Sequence, residues 1–176
     1  MIVNSLLLIL VISLIILVAR LVFTIRSFAP WVPAFTKDIP RIFRVANLQP
    51  GEVFYDLGCG DGRVVVYAGK HFQGEAIGIE LLFPLFVVCK IRQFFSGSKN
   101  VKFKNKNLFH ENLSRANVVY VFGIPGTLAY KVKEKFEKEL MPGARVVSYA
   151  FKIQGLIPEL VDKPSPKDNS IYRYRF

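Results

Sequence analysis

The stretch that most constrains this chain is Asp56–Leu–Gly–Cys–Gly–Asp–Gly62. It follows a β-like run, Val53–Phe–Tyr–Asp–Leu57, and opens a helical stretch, Gly62 to Lys70. Glycines at alternate positions allow a sharp turn and let the backbone approach a ligand closely. The same alternation continues downstream. Ala76 to Glu80 reads as a second strand, and Pro84 to Phe95 as a helix with proline in its first turn. Val101 to Lys104 is a short strand, and Val118 to Phe122, apolar throughout, is a buried central one. Leu128, Val132, Phe136 and Leu140 step by four, with Lys131, Glu134, Lys135 and Lys138 between them, which predicts an amphipathic helix ended by Pro142–Gly143. Ala144 to Ala150 is another buried strand. Leu160–Val161 and Ile171 to Phe176, separated by Pro164–Ser–Pro166, are the last β runs, and Asp38 to Ala46 is a short helix before the first strand. Strands alternating with helices imply an α/β fold with a parallel sheet covered on both faces. A final pair of strands with no helix between them predicts an antiparallel hairpin at one edge.

The glycine spacing separates two kinds of ligand. Dinucleotide loops read Gly-x-Gly-x-x-Gly. Here Gly58, Gly60 and Gly62 alternate and an acid, Asp56, precedes them. That arrangement suits a ligand without phosphates whose amino-acid part carries an ammonium group. Glu80 ends the second strand 20 residues after Gly60 (80 − 60), close to the spacing expected of a carboxylate that accepts from both hydroxyls of a ribose. No nucleophile–base pair accompanies these acids: His71 and His110 are isolated. Cys59 and Cys89 lack metal-ligand spacing, fit a reducing compartment, and Cys89 falls in an apolar helical run expected in the core.

Met1 to Ala19 carries no charged side chain. A helix of about 18 residues spans roughly 27 Å, close to the hydrocarbon core of a bilayer. No basic residue precedes the run, and Leu21, Val22 and Phe23 extend it past Arg20, so an uncleaved anchor fits better than a signal peptide. The expected organisation is a single transmembrane helix over 1–26, a proline-stiffened linker over 27–37 that includes Trp31, and a catalytic domain over 38–176. The cations near the span, Arg20, Arg26, Lys37 and Arg41, all follow it, which places the domain on the cytoplasmic side of a single-pass membrane protein. The net charge of +11 favours an anionic lipid surface as a partner. Lys99 to Lys106 alternates cations with one aromatic, but on one short strand and its turn, which argues against a nucleic-acid surface.

The Asp56-x-Gly58-x-Gly60 motif with Glu80 resembles the class I, seven-strand methyltransferases over about residues 33 to 176. The resemblance implies a Rossmann-like sheet and S-adenosylmethionine as cofactor. It assigns Asp56 and the Gly58–Cys59–Gly60 backbone to the methionine part and Glu80 to the ribose. Asn107 falls at the adenine-contacting position, where Asp is more usual, and Leu81 or Leu108 packs on the ring. Trp31–Val–Pro–Ala–Phe–Thr–Lys37 and Val121–Phe–Gly–Ile–Pro125 narrow the resemblance to the membrane-anchored lysine methyltransferases of the ATP synthase c-subunit and adenine nucleotide translocase type. The chain departs from the wider class in having no clear helix after its fifth strand. It lacks an Asn/Asp–Pro–Pro–Tyr motif, which counts against DNA-adenine or glutamine methylation.

Open α/β sheets place substrate at the carboxyl ends of their strands, which nominates Phe122, Gly123 and Pro125 as substrate-channel lining and Thr36 and Lys37 as gate residues. The expected activity is N-methylation of a lysine on a membrane-embedded protein. A lipid or quinone methyltransferase and a non-catalytic membrane protein that only binds the cofactor are the alternatives.

Overall fold

The computed structural model describes residues 7–14, 32–123 and 126–176, with the backbone alone at 126–128. The chain divides into two compact units, Met1–Trp31 and Val32–Phe176. In the first, residues 7–14 form helix α1, apolar apart from Ser13 and exposed along its length. No helix among the described residues is long and apolar enough to cross a membrane. The remainder of the expected anchor, 1–6 and 15–26, lies outside the described residues, as do linker residues 27–31 with Trp31.

The second unit holds β1 (Phe54–Leu57), β2 (Ala76–Glu80), β3 (Val101–Asn105), β4 (Val118–Phe122), β5 (Arg145–Tyr149), β6 (Leu160–Asp162) and β7 (Ile171–Arg175). They form one sheet in the order β3-β2-β1-β4-β5-β7-β6. The first five strands are parallel, and β7 pairs antiparallel with both β5 and β6. The expected parallel sheet with an antiparallel edge hairpin is therefore the sheet that forms. Helices α2 (Ile39–Ala46), α3 (Arg63–His71), α4 (Phe83–Ser96) and α5 (Gly126–Glu139) complete the unit.

Alternation along the strands divides the core between the two faces of the sheet. Phe54, Ala76, Val101, Phe103, Val118, Tyr120, Val147 and Tyr149 face α2, α3 and Cys89 of α4. Tyr55, Leu57, Ile77, Ile79, Val119, Val121 and Val146 face Val132 and Phe136 of α5. The ends of the helices follow local chemistry. Pro40 and Pro84 sit in the first turns of α2 and α4, and Asn47 and Gly97 close them in the left-handed conformation. The chain runs outward from β1 through β2 to β3, then returns to β4 on the other side of β1. That reversal opens a crevice at the carboxyl ends of β1 and β4, where such sheets bind ligands.

Candidate active site

The glycine loop leaves the end of β1 and turns back over β2. The N–H groups of Gly58 and Cys59 both donate to the Ile79 carbonyl, at 2.9 and 3.0 Å. Gly58, Gly60 and Gly62 all have positive φ, a conformation that disfavours a side chain. Under the loop lies the Phe103 ring. A Cβ on Gly62 or on Gly78 would come within 2.6 Å of it, so both glycines are required by close approach. Cys89 donates to the Gly60 carbonyl at 3.1 Å, and its Sγ is 3.8 Å from that of Cys59. Burial pushes the Cys59 thiol well up, so it packs as a neutral group rather than acting as a nucleophile.

Glu80 is buried at the end of β2. Its Oε2 accepts from the Gly60 N–H and its Oε1 from the Leu82 N–H, both at 2.8 Å. Burial raises its pKa, while these backbone donors pull it down. The Asn105 amide donates to the Glu80 and Leu81 carbonyls, fixing this strand end. Asp61, also buried, pairs with Arg63 at 2.7 Å and Arg92 at 2.9 Å. Burial raises its pKa, but the Arg63 hydrogen bonds and the two guanidinium charges outweigh burial and leave it lowered. Arg63 also donates to the Ala34 carbonyl at 3.3 Å, which ties the segment before α2 to the glycine loop.

Asp56 is buried on β1 opposite Tyr120 of β4. Burial, then the charges of Glu80 and Asp61, push its pKa well up. The Tyr120 hydroxyl is buried without a hydrogen-bond partner among the described residues. On the same face, Tyr149 donates to Asp38 at 2.6 Å and accepts from the Asn169 amide at 2.8 Å. Burial and the Asp38 contact push its hydroxyl up to about 12. Asp38 in turn pairs with Arg41 at 3.2 Å. Phe122 ends β4 beside Tyr149, with ring centroids 4.9 Å apart, and stacks on Phe151 at 6.3 Å.

The structure thus brings Asp56, Gly58, Cys59, Gly60, Glu80 and Leu81 together around one loop. Asn107 lies just past β3, where its Oδ1 caps a short 3-10 turn by accepting from the Phe109 N–H at 3.0 Å; Leu108 follows, half-buried. Phe122 and Gly123 stand at the end of β4, Gly123 with φ of 69°. Pro125 lies outside the described residues. Thr36 is exposed on a 3-10 turn, and Lys37 pairs with Asp168 at 3.6 Å. The residue of that turn that reaches the interior is Asp38. Sequence reasoning missed Asp38, Tyr120, Tyr149, Phe151 and Asn169. Tyr149 had a readable signal, since it ends its strand just as its register partner Phe122 ends β4.

Residues 56–160 match the ANTKMT methyltransferase domain. The chain belongs to the ANTKMT methyltransferase family. It is similar to a protein-lysine N-methyltransferase of Saccharolobus islandicus, 34% identical over 82% of this chain and 92% of the relative. The ATP synthase c-subunit lysine N-methyltransferase of Xenopus laevis is 30% identical over 74% of this chain, which spans 57% of that longer protein. Among solved structures, an RNA methyltransferase of Salinibacter ruber in complex with S-adenosyl-L-homocysteine superposes with a TM-score of 0.76 at 28% identity, over 82% of this chain and 93% of that one. This family member is an S-adenosylmethionine-dependent methyltransferase.

The residues present suit that cofactor. Asp56 is a buried carboxylate whose nearby charges are other carboxylates, an environment that an ammonium group would relieve. The orphaned Tyr120 hydroxyl beside it offers a further donor or acceptor. Glu80 has each oxygen held by one backbone N–H, which orients the carboxylate and leaves lone pairs for a diol.

Proposed function

We propose that this chain N-methylates a lysine side chain on a membrane-embedded protein. The observation that carries the reading is the aromatic lane beside the glycine loop. It runs from exposed Phe151 through half-buried Phe122 to buried Tyr149. A lysine has an apolar stem and a cationic head, and aromatic faces accommodate both. The names of the Saccharolobus and Xenopus relatives support the same acceptor.

Asp56, Gly58, Cys59 and Gly60 would hold the methionine part of the cofactor, Glu80 the ribose, and Leu81, Asn107 and Leu108 the adenine. S-adenosylmethionine supplies an electrophilic methyl group. The chain's own task is then to orient the acceptor and to strip water from it. A lysine ammonium, with an ordinary pKa of about 10.4, must be neutral to react. Transfer into an aromatic, water-poor lane favours the neutral form. Tyr149 does not serve as the base: its hydroxyl is pushed up to about 12, and it already donates to Asp38. It is a rigid wall. Phe122, Gly123 and Pro125 line the lane in this reading, with Thr36 at its mouth.

The reading includes a single-pass anchor over 1–26, a linker over 27–37 and a cytoplasmic catalytic domain over 38–176, supported by the charge-free run from Met1 to Ala19 and the cations that follow it. The test is to incubate membranes from a deletion strain with purified enzyme and methyl-labelled S-adenosylmethionine. Label is expected as methyl-lysine in hydrolysed membrane protein. Label confined to the lipid extract selects a lipid or quinone acceptor, and label in RNA selects the activity named for the Salinibacter relative. No label anywhere, with cofactor binding intact, selects a non-catalytic role.

A further inference from the structure

Helix α4 is inverted relative to an ordinary surface helix. Of its 14 residues only Cys89 is fully buried. Phe83, Val87, Ile91 and Phe94 recur at intervals of four, four and three, so they share one face. That face points to solvent: Phe83 is 63% exposed, Ile91 53%, and Phe94 and Phe95 81% each. Val88 widens it. The polar residues Arg92 and Gln93 instead turn inward, to the Asp61 carbonyl and the Val101 carbonyl. Monomeric proteins rarely leave a contiguous apolar face of this kind uncovered.

Charge identifies what covers it. From Leu81 to His110 the chain holds no Asp or Glu, yet it holds Lys90, Arg92, Lys99, Lys102, Lys104 and Lys106. Arg92 pairs with Asp61, Lys102 with Glu75, and Lys104 and Lys106 with Glu111. Lys90 on the helix and Lys99 in the turn after it are exposed and pair with no acid among the described residues. We propose that the Phe83–Val87–Ile91–Phe94–Phe95 face of α4, flanked by Lys90 and Lys99, docks on an anionic bilayer surface. An apolar face edged by lysines is the pattern of helices that lie in the headgroup layer. With 14 residues, α4 reaches about 21 Å and lies along a bilayer rather than across it. A second copy of the chain fits less well, because a two-fold contact through this face would bring the unpaired lysines of both copies together. The docking face begins three residues after Glu80 (83 − 80), so the glycine loop sits beside the lipid and a membrane-embedded acceptor meets it there.

The test measures depth and does not involve methyl transfer, so it fails or succeeds independently of the acceptor proposed above. The full chain, as Val87→Cys, Phe95→Cys or Tyr130→Cys, is spin-labelled and reconstituted in vesicles of equal parts phosphatidylcholine and phosphatidylglycerol. The native thiols are buried, and Tyr130 is exposed on α5, on the other face of the sheet. Collisions with lipid-soluble oxygen should dominate at 87 and 95, and collisions with a water-soluble nickel chelate at 130. In phosphatidylcholine alone, or with Lys90→Glu and Lys99→Glu, the oxygen-to-nickel ratio at 87 and 95 should fall severalfold. Labels at 87 and 95 as open to nickel as the one at 130 would overturn the proposal. So would protection from both reagents, the sign of a protein cover such as a second copy or residues 1–31. A ratio indifferent to lipid charge and to the lysine changes would also overturn the requirement for an anionic surface.

Discussion

At the scale of single residues, the site is a cluster of acids held in an unfavourable state. Burial and the Glu80 and Asp61 charges raise the Asp56 pKa, so in the free protein its proton is retained above the ordinary aspartate value of about 3.9. The sign follows from linkage. A carboxyl whose folded pKa is raised contributes most to stability below its unfolded pKa, and that contribution is lost as pH rises toward the folded value. A bound ammonium reverses the balance by favouring the carboxylate. Affinity for S-adenosylmethionine should therefore climb with pH above about 4, with proton release on binding. Calorimetry in two buffers of different ionisation enthalpy reads both. Asp56→Asn should bind more weakly and without that pH dependence, whereas a pH-independent wild type would remove Asp56 from the ammonium site. Glu80→Gln tests the neighbouring carboxylate. One of its two backbone donors, Gly60 or Leu82, loses its acceptor, at a cost of about 1.5–3 kcal/mol, or roughly tenfold to a hundredfold in cofactor affinity. Wild-type affinity in Glu80→Gln would sink the ribose assignment. Asp56 and Glu80 were legible because their spacing to the glycines is local. Asp38 and Tyr149 were not, because their hydrogen bond joins positions 111 residues apart.

At the scale of elements, hydrophobic period and turn residues were enough to read the strands and helices of the sheet in order, and the missing crossover helix revealed the antiparallel edge. Less legible were the short 3-10 turns Thr36–Asp38 and Leu108–His110, which have no apolar period and depend on caps. The inverted face of α4 was hidden for a different reason: an all-apolar helix reads as core until its neighbours are known. The packing of β2, β3 and the glycine loop around one ring gives a test of element-level design. A Cβ on Gly78 would meet the Phe103 ring at 2.6 Å and the Cys59 Sγ at 2.8 Å. Gly78→Ala should destabilise the fold by about 1–3 kcal/mol through overpacking. Phe103→Leu alone should also destabilise it, by leaving space under the loop. Combined, the two should cost less than their sum, because the smaller side chain admits the new methyl group. Urea unfolding of all four proteins measures the coupling, and strict additivity would show that Phe103 does not support the loop through Gly78.

At the scale of the whole molecule, three sequence properties point to the same surface: the charge-free run from Met1 to Ala19, the net charge of +11, and the acid-free stretch from Leu81 to His110. The compact unit Val32–Phe176 contains every strand of the sheet together with Asp56, Glu80 and the aromatic lane. Because that unit already takes in residues 32–37, the free tether after an anchor over 1–26 shortens to residues 27–31, a reach of about 15 Å at 3.1 Å per residue. So short a tether holds the domain close to the bilayer and raises the effective concentration of acceptors embedded there, while a soluble acceptor gains nothing from it. Deleting residues 1–26 should accordingly leave S-adenosylmethionine affinity unchanged. It should lower kcat/KM for a vesicle-embedded acceptor by about 10²–10⁴, and leave kcat/KM for a soluble lysine peptide where it was. The ratio of the two kcat/KM values isolates the tether from any general damage to the enzyme. An equal loss on both acceptors would mean that residues 1–26 support the fold of the catalytic unit. No loss on either would mean that they do not bring the enzyme to its substrate.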